Sequence, residues 1–135
     1  MVEKTLAIIK PDGVAAGNAD KIINLIKQKG FKVLEQKKTT LSRKQAEDFY
    51  AVHKSRPFFG ELVAFMSSGP VVVMALEKEN AIEDWRKLMG DTNPEKAGAG
   101  TIRKLFGANI GNNAVHGSDS PATAAAEVKF FFPSL

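Results

Sequence analysis

The chain has 135 residues, 44% hydrophobic and 25% charged, which is enough for a globular domain to bury a core without disulfides or structural metal. It contains no cysteine and only two histidines, His53 and His116, which excludes disulfides and thiolate chemistry and leaves no basis for a structural zinc site. The formal net charge of +4 fits polyanionic partners but distinguishes little by itself.

In chain order, Thr5 to Lys10 reads as a short buried strand ended by the turn signal Pro11-Asp12-Gly13. Ala19, Ile22, Ile23 and Ile26 then share one helical face, with Gly30 placed to cap the C-terminus. Phe31 to Leu41 is strand-like. Ser42 and Gln45 form a capping-box pattern ahead of a second helix through Ala46, Phe49 and Tyr50. Pro57 can open a further helical turn that sets Phe58 and Leu62 on one side. Gly69-Pro70 precedes Val71 to Leu76, an apolar run expected to be covered on both faces. Asn80 and Glu83 make another cap pattern before Ile82, Trp85 and Met89, and Gly90 follows. Asp91 to Gly111 is loop-like, and a long loop in a small domain is usually functional. Ala114-Val115 can form a last strand, and Ser120-Pro121 opens an Ala-rich helix through Lys129.

The alternation of strands and helices predicts an α/β sandwich in one domain, residues 1–135, with the strand order left open. No apolar run is long enough for a signal peptide or a membrane span, so a cytoplasmic protein without a membrane partner is expected.

The usual nucleotide-binding loops are missing: there is no G-x-x-x-x-G-K-[ST], and Gly98-Ala99-Gly100 completes no dinucleotide fingerprint. Attention falls instead on Asn113 to Ser120, where His116 ends a short apolar segment and is followed by Gly117 and small polar residues. A neutral imidazole is a good nucleophile when an acceptor holds the proton on its other nitrogen, and Glu127 on the following helix is a candidate acceptor. Gly117 would leave the ring approachable by a phosphate. For an arbitrary histidine the plainer reading, a loop residue bonded to its neighbours, comes first.

Arg86, Thr92 and Arg103 supply the forks and the hydroxyl that a transferred phosphoryl group needs around its oxygens. Lys10, at the end of a buried strand, is a further candidate, although snorkelling to solvent is commoner. Phe58 and Leu62 can form one jaw of a clamp for a flat base, or can simply be core. The basic stretch Lys27, Lys29, Lys32, Lys37 and Lys38 lacks interleaved stacking aromatics, so nucleic acid is not expected as the main partner.

Together these residues resemble the nucleoside diphosphate kinase family over essentially the whole chain. The resemblance is carried by Asn113-Ala114-Val115-His116-Gly117-Ser118-Asp119, by Ile9-Lys10-Pro11-Asp12-Gly13 and by His53-Lys54-Ser55-Arg56-Pro57-Phe58-Phe59. Thr92-Asn93-Pro94 and Gly100-Thr101-Ile102-Arg103 add to it, and it reverses the order of the two readings of His116.

The resemblance implies a ferredoxin-like βαββαβ core, an α+β sandwich with an antiparallel four-stranded sheet. It also implies ping-pong transfer of a γ-phosphoryl group from a nucleoside triphosphate to a diphosphate, with nucleotides such as ATP and GTP as partners. By position, His116 would be phosphorylated on Nδ1, Glu127 would orient the ring, and Ser118 would support Glu127. Arg86, Thr92 and Arg103 would hold phosphates beside Tyr50, and Lys10 and Asn113 would bind the ribose hydroxyl and adjoining phosphate. Phe58 would stack on the base, with Leu62 and Ile110 completing an apolar slot of broad base specificity. Mg²⁺ would arrive chelated by the nucleotide, with Asp119 assisting through water and no dedicated metal cage.

The chain departs from the family pattern at Ala15-Ala16, where a polar pair is common, at Ala99, where proline is frequent, and at Ile110, usually valine. It stops at Leu135, short of the intersubunit tail of many relatives. The homo-oligomer expected by resemblance is thus a tetramer or a hexamer built from dimers.

Overall fold

The computed structural model describes residues 2–51, 54–91, 93–107, 114–118 and 120–133. The first strand, β1 (Val2–Ile9), starts earlier than the apolar run indicates and is buried from Thr5 onward. Pro11-Asp12-Gly13 does not simply turn the chain but opens a short helix, α1 (Pro11–Ala15). Proline suits this first position because the amide proton it lacks would have no partner there. Helix α2 (Ala19–Gln28) buries Ile22 and Ile26 and ends at Gly30, whose φ of +89° is the left-handed conformation of a helix stop.

β2 (Lys32–Thr39) leads into α3 (Arg43–Phe49), where the Ser42–Gln45 capping box forms reciprocally at 3.1 and 2.9 Å. α4 (Phe59–Met66) has Phe58 rather than Pro57 at its cap position. β3 (Val71–Glu79) is buried continuously from Val71 to Leu76, as the apolar run implies.

At α5 (Ala81–Met89) the Asn80–Glu83 cap pattern marks the right place but does not form. Asn80 is left-handed (φ 56°) and its side chain makes no cap bond. The orphan amide of Ile82 instead donates to Glu3 Oε1 at 3.3 Å, a carboxylate brought over by β1. The loop-like stretch contains α6 (Ile102–Phe106), capped by Thr101. Next comes β4 (Val115–Gly117), and α7 (Pro121–Phe131) is opened by a Ser120–Thr123 capping box.

The four strands form one sheet in the order β2-β3-β1-β4, and every pairing is antiparallel. This is the ferredoxin-like arrangement, so the α/β expectation resolves to α+β. Successive side chains alternate between faces. Ala7, Ile9, Val72, Met74 and Leu76 pack with Ile22 and Ile26 of α2 and Trp85, Leu88 and Met89 of α5. Leu6, Ile8, Val71, Val73 and Ala75 pack with Ala46, Val63, Met66, Val128 and Phe131 from α3, α4 and α7.

β2 lies at the sheet edge with Lys32, Lys37 and Lys38 exposed. Lys37 donates to Phe131 O at 3.3 Å, fastening that edge to the carbonyl end of α7. Among the described residues no helix is long and apolar enough to cross a membrane.

Candidate active site

Register decides where the histidine points. His116 pairs with Ile8 across β1 and β4, so its ring shares the face occupied by α3, α4 and α7. Val115 and Gly117 face the other way, toward α5. A Cβ on Gly117 would lie 2.4 Å from Trp85 Nε1 and 2.6 Å from Met89 Cε. Glycine is therefore needed here for close packing of α5 on the sheet, which corrects the expectation that it opens a path to the ring.

The backbone carrying His116 is gripped from several elements. Ala114 has φ +73°, a left-handed conformation that costs an alanine about 1–2 kcal/mol. Lys10 N–H donates to Ala114 O at 2.8 Å, and Asp12 Oδ2 accepts from Ala114 N–H at 3.0 Å. Arg103 donates through Nη2 to Val115 O at 3.0 Å, and Trp85 Nε1 to His116 O at 3.4 Å. The strand bearing the ring is thus fixed by a carboxylate, a guanidinium and an indole as well as by its neighbour strand.

The ring itself meets Glu127: Nε2 lies 3.3 Å from Glu127 Oε1, and Ser118 Oγ donates to the same oxygen at 2.7 Å. Ser118 is buried, while the His116 and Glu127 side chains keep about a fifth of their surface. A carboxylate accepting from Nε2–H leaves the Nδ1 lone pair as the nucleophile. The rings of Phe49 and Tyr50 stand nearly perpendicular to the imidazole, with centroids at 5.6 and 5.9 Å. Burial, and then the negative charge of Glu127, push the Tyr50 phenol up, so it remains a neutral O–H.

Arg103 projects from α6 and also donates through Nη1 to Gly90 O at 3.1 Å. Gly90 has φ +85°, and a Cβ there would come within 2.6 Å of Thr101 Oγ1, so glycine is required to make that turn. Burial lowers the Arg103 pKa, against the pull of Asp91 and with the push of Arg86. Arg86 is exposed on α5, and the two arginines line an open cleft of ≈ 700 Å³ together with Gly90, Asp91 and Pro121. His116 is not among the lining residues, so the hydrogen bonds of the ring, and not this cleft, locate the chemistry.

Lys10 is pushed down to about 8 by burial first and by Arg103 second, with Asp12 opposing. The structure therefore gathers His116, Glu127, Ser118 and Tyr50 into one group and sets Lys10 within the field of Arg103, and Arg103 within that of Arg86. Phe58 is 47% exposed at the start of α4, whereas Leu62 is half-buried against the core. Thr92, Ile110, Asn113 and Asp119 lie outside the described residues, as does His53.

Sequence reasoning missed Asp12, Phe49, Trp85 and Gly90 as parts of this site. Asp12 had a signal, a carboxylate directly after Lys10-Pro11. Phe49 stands next to the predicted Tyr50.

Comparison with known proteins agrees over the full length. The family model described as nucleoside diphosphate kinase matches residues 3–135. Nucleoside diphosphate kinases of Syntrophotalea carbinolica and Geobacter sp. (strain M21) are 59% and 58% identical over 134 residues, covering 99% of this chain and 98% of each relative. The solved nucleoside diphosphate kinase of Aquifex aeolicus superposes with a TM-score of 0.96 at 45% identity, covering 98% of this chain and 96% of that one. That of Encephalitozoon cuniculi gives 0.92 at 37%, covering 96% and 88%. The chain belongs to the nucleoside diphosphate kinase family.

Proposed function

We propose that the chain moves γ-phosphoryl groups from nucleoside triphosphates to nucleoside diphosphates in two half-reactions, with His116 as the carrier. The observation that supports this is the 3.3 Å approach of His116 Nε2 to Glu127, itself held by Ser118. The Nδ1 lone pair attacks the γ-phosphorus, and the bond to the bridging oxygen breaks. The electron pair leaves with the diphosphate. The proton on Nε2 stays, stabilised by Glu127 as positive charge develops on the ring. A terminal phosphate oxygen of a second diphosphate then takes the group and restores the neutral imidazole.

Arg86, Thr92 and Arg103 hold the phosphate oxygens, with Tyr50 close to the transferred group. Lys10 and Asn113 bind the ribose hydroxyl and adjoining phosphate. Phe58 stacks on the base, and Leu62 and Ile110 close the slot. A base gripped by its faces is bound for flatness, which admits purines and pyrimidines alike.

Among the described residues no group of three or more histidine or acidic side chains gathers to hold a metal. By resemblance, the cation is Mg²⁺ delivered with the polyphosphate, with Asp119 reached through water. Bound there, the ion offsets negative charge on the phosphate oxygens.

We further read residues 1–135 as one domain, on the single family match. By resemblance, the chain is cytoplasmic and assembles as a tetramer or hexamer built from dimers. A catalytically silent regulator of the same fold draws no support, because the histidine, its carboxylate and both arginines are in place.

The test is intact-protein mass after mixing with ATP and Mg²⁺ alone, and again after adding a different nucleoside diphosphate. One phosphoryl group should be gained and then lost. A folded, ATP-binding protein that gains none would overturn the proposal.

Lys10 gives the reaction a pH dependence. Its folded pKa of about 8 lies below its ordinary 10.5, so the unfolded chain binds more protons between these values. Stability therefore rises with pH across that window, and the penalty of the buried charge is full below it. Binding shows the opposite sense, because the cation that meets phosphate is lost above about 8. Affinity for ADP should fall by roughly tenfold from about pH 7 to about pH 9, and calorimetry in two buffers should show proton uptake. In Lys10→Met that fall should disappear; if it persists, Lys10 is not the titrating group.

A further inference from the structure

The strand that carries His116 is three residues long and lies at the end of the sheet beside β1, so it has few ladder bonds of its own. The direction in which it sets out is decided one residue before it starts, at Ala114, which is fully buried and left-handed at φ +73°. An unrestrained alanine avoids that conformation by about five- to thirtyfold.

The two dihedral angles of a residue relate the peptide before it to the peptide after it. Both peptides of Ala114 are held from one short segment at the end of β1. The carbonyl of the later one accepts from Lys10 N–H at 2.8 Å, one bond beyond the β1–β4 ladder. The earlier one donates, through Ala114 N–H, to Asp12 Oδ2 at 3.0 Å. Gly13 lets the segment lie close: a Cβ there would stand 3.2 Å from Ala114 O and 3.0 Å from Ile9 Cγ2. The Lys10 restraint is backbone and survives a change of side chain. The Asp12 restraint is a side chain, and a single substitution removes it.

We propose that Asp12 is a positioning residue of phosphotransfer. By fixing the peptide before Ala114 it keeps that residue left-handed, and so starts β4 in the direction that brings the His116 ring to Glu127. The inference rests on the phosphohistidine reading of His116, and the experiment separates the two.

The test pairs Asp12→Ala with Ala114→Gly, because glycine takes positive φ about as readily as negative. The rate of phosphorylation at saturating ATP and Mg²⁺, measured well below the unfolding temperature, reads the placement of the ring in folded protein. Asp12→Ala should slow it about tenfold. Ala114→Gly alone should stay within about twofold of the wild type, and the double variant should return to within about threefold. Asp12→Asn keeps a carbonyl oxygen as acceptor and should also stay within about threefold. Both substitutions of Asp12 remove the charge that acts on Lys10, so the difference between them reads the hydrogen bond.

If Asp12→Ala does not fold, the double variant is compared with Ala114→Gly alone, and a gap above about threefold overturns the inference. Failure of the double variant to fold overturns it as well, since the glycine should make the tie dispensable. So does a folded Asp12→Ala that is phosphorylated at the wild-type rate, whatever its unfolding temperature, or one whose loss the glycine does not recover. Slowing by Asp12→Asn as large as that by Asp12→Ala gives the effect to the charge beside Lys10 and overturns it too. A wild type that takes up no phosphoryl group overturns the carrier reading instead, and the positioning role falls with it.

Discussion

In His116→Ala, phosphotransfer is expected to fall by at least about 10⁴-fold, while affinity for nucleoside diphosphates stays within about threefold of the wild type. The asymmetry follows from where the proposed interactions sit. The ring contributes one nitrogen to bond making, and the phosphates are assigned to Arg86, Arg103 and Lys10, which the substitution leaves in place. The local cost is modest as well. Glu127 keeps the 2.7 Å bond from Ser118, so no buried carboxylate is stranded when the imidazole goes. The substituted alanine would also keep the extended backbone of β4 and the carbonyl that accepts from Trp85. A coupled turnover assay with calorimetric titration of ADP separates the two effects. A variant that still cycles phosphate at a few per cent of the normal rate would remove His116 as carrier. One that binds a hundredfold more weakly would make the ring a binding group.

What could be read from the chain was mostly local. Gly30, the Ser42–Gln45 box and Ser120-Pro121 mark helix ends because a cap is a bond between residues a few positions apart. Strand order is not local. The continuous apolar run of β3 suits a parallel strand covered by helices as well as it suits the antiparallel partner it has in β1. Only the family resemblance chose between them.

Asn80 shows the same limit at the scale of one bond. Its position at the start of α5 was legible, but the acceptor that satisfies Ile82 N–H is Glu3, 79 residues earlier.

The reacting group divides along the same line. His116 and Glu127 were legible together because they are eleven residues apart and their chemistry is recognisable in that short span, while the support of Glu127 by Ser118 came from the family resemblance. Asp12 was not, because its work is to hold the amide of Ala114, 102 residues away, in a left-handed conformation. Gly117 was read through its neighbour His116, when the side chain that requires it is Trp85 on the opposite face of the sheet. Alternation along a strand, which put ring and glycine on different sides, needed the register to be known first.

Arg103→Lys is expected to lower kcat/KM by roughly a hundredfold and to lower the unfolding temperature by several degrees, although the charge is conserved. The guanidinium reaches two backbone carbonyls on different segments, Gly90 O at 3.1 Å and Val115 O at 3.0 Å. A lysine ammonium places its donors on one atom and cannot span both. Withdrawing donors from partly buried carbonyls costs about 1–3 kcal/mol. Val115 is fully buried and directly precedes His116, so a shift there moves the attacking nitrogen. Arg86→Lys is the control. Arg86 is exposed on α5, and this substitution should weaken nucleotide binding with no change in unfolding temperature. Thermal unfolding and steady-state kinetics on both variants distinguish the roles. Loss of kcat/KM at an unchanged unfolding temperature in Arg103→Lys would leave it a phosphate ligand alone. Retention of both would remove it from the site. Loss of both, against loss of binding alone in Arg86→Lys, would make the guanidinium a structural tie whose hold on the histidine strand the reaction requires.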